Sequence, residues 1–360
     1  MTESIGNALV NLGISCTTPF WKAQEILDRC YLPLLPGEYG QQEQCIAEIA
    51  YRIFSHIYAI PLGIASFPAA VLGHITVCIG NHLKKENYQY VSIRENPEGS
   101  VQKVFHLNAC MLPGSLPMKF GGVLPASDRL EKLCNLILQE QSDLVLLSEI
   151  NAAAADNIKE KLEADYSHFC LKIGMLPFGF ESGLFIASKT PFAREFIPFL
   201  HQGSKLFKRG LFRMDFSDKV IFFTHLHSGE SEEDKEIRKK QMQEVKEKMD
   251  QAPREKTCLL IGDLNIPMHD VSEYLDNVDH NALKLLDPSF SSVEETSTES
   301  LENYLKGVPS AENNQVLDYA LCRRQDFASA EINLLETYQK PPQENFSYSL
   351  SDHKALIIRV

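Results

Sequence analysis

The chain has 360 residues, 44% hydrophobic and 23% charged, so it can bury a large core and is too apolar to be disordered. Lys and Arg number 35 against 48 Asp and Glu, a formal net charge of −13, which argues against a broad phosphate-neutralising surface and leaves room only for a local basic cleft. Nine cysteines without a CxxC pair argue against a zinc knuckle or thioredoxin motif and read as buried thiols in a reducing compartment.

The opening MTESIGNALVNLG has no basic n-region and no continuous apolar run. No cleavable signal peptide is expected, which places the protein in the cytoplasm or on a membrane. Between Arg52 and Lys84 there is no Asp, Glu, Lys or Arg. The apolar heart of that stretch, IYAIPLGIASFPAAVLGHITVCI at 57–79, reaches the roughly 20 residues that a membrane span requires. Pro61, Pro68, Gly63 and Gly73 are expected to break or kink one straight helix there. Two readings follow: a kinked or re-entrant membrane segment, or a helix–loop–helix buried against the rest of the protein. Both stand, because mean hydropathy is −0.18 and only one such segment exists. A polar stretch with turn signals at Asn96-Pro97 and Gly99 then sets a boundary near residue 100, dividing an N-terminal helical region (1–99) from an α/β domain (100–360).

Beyond that boundary short β-branched runs alternate with helix-like and loop segments. VQKVFHLN, SDLVLLSE, SGLFIAS, KVIFFTHL, TCLLIGDLN, VLDYAL and HKALIIRV read as strands. DRLEKLCNLILQEQ reads as an amphipathic helix opening after Ser127. SEEDKEIRKKQMQEVKEKMD at 231–250 reads as a second, with Ser231 and Asp234 forming a capping box. Its Ile237, Met242, Val245 and Met249 fall on one arc of roughly 140°, and its charges read as a solvated face. ETSTES at 295–300 reads as a polar loop.

Chemistry-bearing residues cluster where the strands stop. VFHLN closes on Asn108, LVLLSE on Glu149, VIFFTH on His225, and LLIGDLN on Asp263 and Asn265, which at i and i+2 are expected to share a face. VLDY carries Asp318, and Asp352-His353 opens the last strand. Singly, each has a structural reading: a turn former, a helix cap or a satisfied core histidine. Their joint order is what points to a site, since polar groups at one sheet edge can converge while the apolar runs fill the core.

That order resembles the superfamily of magnesium-dependent endonucleases, exonucleases and phosphatases. The marks are Asn108, Glu149, SGL at 182–184, THL at 224–226, GDLN at 262–265, LDY at 317–319 and SDH at 351–353, together covering residues 101–360. Ser148 departs from the pattern, which often has Gln before the metal-binding Glu. The resemblance implies a four-layer α/β sandwich, two packed sheets flanked by helices, carrying a metal-dependent phosphoric ester hydrolase. Glu149 would hold Mg²⁺ or Mn²⁺ with oxygen contacts from Asn108 and Asp352, a sparse set suited to a cation that keeps several waters. His353, oriented by Asp318, would be the general base. Asp263 and Asn265 would position water and phosphate, and His225 would contact the phosphate or assist the leaving group. His227, two residues on, shares that last reading.

Within the superfamily, THLHSGESEEDKEIRKKQ and the KRG turn at 208–210 are most similar to the neutral sphingomyelinase-like branch. The apolar segment at 57–79 fits a phospholipid substrate met at a membrane surface. Lys205, Lys208, Arg209 and Arg213 form the one basic cluster after residue 100 not interleaved with acids, a small footprint for a nuclease. A lipid phosphodiesterase is therefore the leading expectation. A nuclease or phosphoinositide phosphatase of the same superfamily follows, then a membrane-bound adaptor that retains the fold without catalysis.

Overall fold

The structure is a computed structural model; it describes residues 2–29, 41–84, 86–95, 99–114, 116–117, 123–174, 181–204, 207–267, 270, 274, 284–286, 317–323, 326, 331–335, 337–339 and 348–360. ETSTES, Asn96-Pro97 and Lys205 lie outside the described residues.

Alternating apolar residues make each central strand two-sided, and the two sides serve different layers. One sheet runs in the order β1 (Gln89–Ser92), β4 (His168–Leu171), β5 (Phe185–Ser188), β3 (Leu144–Ile150), β2 (Lys103–Met111), β15 (Ala355–Arg359) and β12 (Glu331–Leu335). The other runs β10 (Lys284–Leu286), β11 (Asp318–Cys322), β9 (Thr257–Asp263), β8 (Lys219–His225), β7 (Gly210–Asp215) and β6 (Ala193–Pro198). Val104 and Leu146 of the first sheet pack with Phe223 and Ile261 of the second, so these inner faces form the central core. The alternate residues Phe105, Leu107 and Val145 face outward onto α3 (Ala126–Glu140) and α4 (Ala152–Leu162). On the far side, Phe222 and Leu260 pack against Met242, Val245 and Met249 of α5 (Glu232–Asp250). The result is the four-layer sandwich expected from the motif order. The capping box at Ser231 and Asp234 is present. The first of the two helices starts earlier than expected, at Ala126 after Pro125; Ser127 lies inside it and donates to Glu25 Oε1 at 3.0 Å. The described cysteines are free, and those of the sandwich are buried.

The first sheet includes a strand on the N-terminal side of residue 100. β1 pairs antiparallel with β4, from Gln89↔Leu171 to Ser92↔His168, so the chain joins the sheet well before residue 100. The side-chain pattern at 86–92, polar and short, carries too little apolar alternation to show that an edge strand begins there.

N-terminal to β1 lies an antiparallel pair, α1 (Thr2–Arg29) and α2 (Gln41–Leu83). The expected break in 57–79 does not occur: α2 passes through both Pro61 and Pro68 as one helix. Packing against α1 explains the continuity. A Cβ on Gly13 would lie 2.5 Å from the Gly73 carbonyl oxygen, and one on Gly6 would lie 2.8 Å from that of Gly80. Backbones this close gain dispersion contacts along the whole length, which offset the roughly 3 kcal/mol cost of each internal proline. The buried stripe of α2 is made of small residues, Ser55, Ala59, Ser66 and Ala70, followed by Gly73 and Gly80. Its large side chains, among them Phe54, Ile57, Ile64, Phe67 and Leu72, are exposed. That is the reverse of a soluble amphipathic helix. The hairpin rests on the sandwich through Val10 and Val77 against Ala152, and through Lys172 Nζ, which donates to Asn11 Oδ1 at 2.7 Å and to Asp156 at 2.9 Å.

Candidate active site

Strand register assembles the site. Parallel pairing of β8 with β9 sets His225 beside Asp263, and antiparallel pairing of β9 with β11 sets Asp263 beside Asp318. In the opposite sheet, parallel pairing of β2 with β3 sets Asn108 beside Ser148, one residue before Glu149. Both parallel pairs end at the same rim, so polar residues from the two sheets face one another across it. Gly262 makes the close strand approach possible, because a Cβ there would collide with the Thr224 carbonyl oxygen.

Asn108, Glu149, His225, Asp263, Asp318 and His353 lie together at this rim. Asn108 Nδ2 donates to Asp263 Oδ2 at 2.9 Å, and the Asn108 amide favours the charged form of Glu149. His225 Nε2 lies 3.6 Å from Asp263 Oδ2 and 3.9 Å from Glu149 Oε1. His353 Nδ1 donates to Asp318 Oδ2 at 2.6 Å. Asp352 enters through its charge on Glu149. Asn265 does not share a strand face with Asp263, because β9 ends at Asp263 and Asn265 has φ 51°. It joins through its backbone N–H, which donates to Asp263 Oδ1 at 2.9 Å, while Nδ2 spends one donor on the Leu226 carbonyl at 3.1 Å. His227 turns away from His225: its Nε2 meets Asp234 Oδ1 at 2.7 Å at the start of α5, beyond the end of β8.

Three side chains are members that motif order alone did not mark. His106 is fully buried on the inner face of β2, with Nε2 2.9 Å from Asp318 Oδ1 and Nδ1 3.2 Å from the Leu146 carbonyl oxygen. Its signal was available: His106 stands at i−2 from Asn108 and so shares its face. Arg209, read as part of a surface basic cluster, is 7% exposed and lines the cleft with Glu149 and His225. Arg129, fully buried on α3, donates to the Ala109, Cys110, Leu124 and Leu350 carbonyls, tying the end of β2 to the segment that presents Asp352 and His353. Nothing in an amphipathic helix pattern reveals that reach.

Burial and like charge set the electrostatics. Glu149 is pushed up to about 7 by burial and by the charge of Asp352, and Asp263 up to about 6 by burial and by Asp318. Burial opposes ionisation of Asp318 as well, but His353 and His106 outweigh it and hold its carboxyl well below the usual range. His353 is correspondingly held well above the ordinary histidine value, burial notwithstanding, chiefly by Asp318. His225 stays far below, through burial and the neighbouring Arg209. Glu149 is also strained, with φ 58°, and Cys110 beside Asn108 has φ 46°. Backbone cost at these strand ends is what aims the side chains.

The donor set fits a hard cation. Glu149 and Asp352 bring carboxylates to one rim, where they repel one another in the absence of positive charge, and the Asn108 amide oxygen beside them accepts from the Cys110 N–H at 3.1 Å with its second lone pair unused by that bond. About a quarter of the Glu149 side chain opens onto a cavity of about 260 Å³, so the carboxylate is reachable. Asp263, Asp318 and His353 also bring one ligand atom each within 4.8 Å of one another. Both oxygens of Asp318 there already accept from imidazole N–H groups, so that trio reads as a held base and not as the principal cation site. Ser148, where the family pattern often has Gln, leaves a buried Oγ without a partner among the described residues.

No curated protein matches the sequence. Among solved structures, SmcL matches with a TM-score of 0.56 and 18% identity, covering 72% of this chain and 99% of its own. A beta toxin from Staphylococcus aureus with bound magnesium ions matches at 0.53 and 16%, covering 72% and 99%. D. rerio TDP2 complexed with a single-strand DNA product matches at 0.50 and 16%, covering 73% and 100%. At these identities the likeness is one of fold. The sequence itself supplies the assignment: residues 115–353 match the model of the endonuclease/exonuclease/phosphatase family, and with its rim of converging carboxylates, amides and imidazoles the chain belongs to that family of phosphoric ester hydrolases.

Proposed function

We propose that the protein is a membrane-anchored, Mg²⁺- or Mn²⁺-dependent phosphodiesterase that hydrolyses the headgroup phosphate of a phospholipid, in the manner of a sphingomyelinase. The observation that carries this reading is the hairpin of α1 and α2, which buries small residues and exposes large apolar ones. Helices that pack through glycine while presenting Ile, Phe and Leu outward match a hydrocarbon solvent. Within Ile49–Leu83 an 18-residue window has a mean hydropathy of 1.8 and is only 22% buried. The exposed apolar area would be an aggregation liability in water. The catalytic unit accordingly begins between Leu83 and Asn87.

The arrangement of the rim supports the following roles. Glu149, with Asn108 and Asp352, would hold the dication, which when bound stabilises charge on the phosphate and, by screening the carboxylates, brings His353 toward a useful pKa. His353 has Nδ1 committed to Asp318, leaving Nε2 to take the proton from the attacking water. Asp318 stabilises the imidazolium, and His106 fixes Asp318 from the other oxygen. Arg209 and His225 face the same cavity as Glu149 and supply donors to the phosphate. Asp263 and Asn265 position the water. A panel of sphingomyelin, lysophosphatidylcholine, phosphoinositide and single- and double-stranded DNA, with Mg²⁺ and with EDTA, tests the reading. Metal-dependent turnover of a choline phospholipid is expected; turnover confined to DNA or to phosphoinositide monoesters would replace the lipid phosphodiesterase.

A further inference from the structure

The two faces of α2 differ in kind. At about 100° per residue, the buried Ser55, Ala59, Ser66, Ala70 and Val77 fall within an arc of about 60°. The exposed large apolar side chains, from Ile46 to Ile79, occupy the opposite side within about 200°. No Asp, Glu, Lys or Arg stands between Arg52 and Lys84 to interrupt them. From Ile49 to Ile79 this face is about 45 Å long, half as long again as the roughly 30 Å hydrocarbon core of a bilayer. It is also broader than the narrow seam that pairs one helix with another, so a second copy of α2 would leave much of it uncovered.

The sandwich lies alongside the hairpin, not at its end. Lys172 Nζ donates to Asn11 Oδ1 at 2.7 Å, and Ser127 Oγ donates to Glu25 Oε1 at 3.0 Å, two contacts about 21 Å apart along α1. The same stretch of α1 packs against the middle of the charge-free segment of α2. Gly13 meets Gly73, and Ala23 Cβ lies 3.6 Å from where a Cβ on Gly63 would stand. A hairpin crossing the bilayer here would carry Glu25 and the Lys172–Asp156 ion pair into hydrocarbon. It would also have to take α1 across beside α2, yet among the described residues α2 is the one helix long and apolar enough to cross.

We propose that the hairpin lies in the plane of one leaflet, immersing the exposed apolar face of α2 among the acyl chains and holding the sandwich on the aqueous side. The inference rests on the membrane-anchored reading and adds how the anchor sits. Both helices stay on one side of the bilayer, so the length of the apolar face follows the membrane surface and is not matched to the membrane thickness.

Spin labels carried on p-acetylphenylalanine at Ile53, Ile64 and Ile75 read the depth of this face without using the native cysteines. All three positions are exposed, share an arc of about 40° and follow one another at about 17 Å along α2. The full chain is bound to metal-free phosphatidylcholine liposomes, and relaxation by oxygen and by a water-soluble nickel chelate gives each depth. The three labels are expected at one shallow depth, about 5–10 Å into the headgroup and acyl boundary. Ile64→Gln, an exposed change that folding does not depend on, is expected to weaken liposome sedimentation about tenfold. Ile64 near the midplane, about 15 Å deep, with Ile53 and Ile75 near opposite surfaces, would overturn the in-plane arrangement and leave the anchor intact. Labels as open to nickel with liposomes as without them would overturn the anchor and the arrangement together. Dipolar broadening between copies, with no gain in oxygen contact, would give this face to a second copy of the chain instead.

Discussion

Replacing Asp318 by Asn tests the catalytic assignment where the structure is most specific. The carboxylate is fully buried and accepts from His353 Nδ1 at 2.6 Å and from His106 Nε2 at 2.9 Å, one imidazole on each oxygen. An amide has one carbonyl oxygen, so it can satisfy only one of the two donors and must turn an N–H toward the other. Hydrogen bonds to a charged partner are worth about 1.5–3 kcal/mol each, so a stability loss on the order of 2–3 kcal/mol is expected from urea melts. Catalysis should suffer more. Without the negative charge His353 loses the main influence holding its pKa well above the ordinary value, and its Nδ1–H tautomer is no longer enforced. A carboxylate-to-amide change beside a catalytic histidine costs about 10⁴-fold in the serine protease triad, and a loss of about 10³–10⁴-fold in kcat is expected here. His353→Ala should lower kcat by a similar factor. The assay is a double-mutant cycle on kcat at saturating Mg²⁺. Because Asp318 acts through His353, the double variant should be about as slow as His353→Ala alone. Multiplying losses would show that Asp318 acts independently, and the held-base mechanism would have to be abandoned.

Metal removal comes next: EDTA should abolish turnover and Mg²⁺ restore it, while Glu149→Ala should remove tight Mn²⁺ binding in calorimetry, since Glu149 is the carboxylate of the proposed cation set that opens onto the cleft. Retained Mn²⁺ affinity in that variant would move the cation site toward Asp263 and Asp318. Arg209→Met should lower kcat about 10²–10³-fold, as expected for a lost donor to developing charge, and Arg209→Lys should recover part of it; an effect confined to KM would make Arg209 a binding residue only. Burial holds Glu181 at about 7 against an ordinary 4.5, so the folded chain retains a proton that the unfolded chain releases. Stability should therefore be full below the ordinary value and fall as pH rises toward 7, by about 3 kcal/mol at most. Chemical denaturation of Glu181→Gln at pH 5 and pH 8 should show that fall reduced by the same amount, and an unchanged pH dependence would mean that Glu181 is not the group responsible.

The sequence alone determined which residues could do the chemistry and the order in which strands would deliver them. The near-continuous apolar runs in VFHLN, VIFFTH and LLIGD bury both faces of each strand, so the polar residue ending each run emerges at a sheet rim. Local patterning likewise fixed α5, where the capping box and apolar arc both lie within a few residues of one another. Only the tertiary structure decided what depends on partners distant in the chain. β1 is recognisable as a strand only beside β4, and α2 tolerates two prolines only because α1 packs glycine to glycine against it. Arg209 becomes a cleft-lining group only when the sandwich buries it beside Glu149, and Arg129 becomes the clamp of the SDH segment only when Leu350 is brought to it. Propensity and periodicity act over one or two turns of chain, whereas burial, register and charge proximity are set by contacts between segments tens to hundreds of residues apart, such as His106 with Asp318.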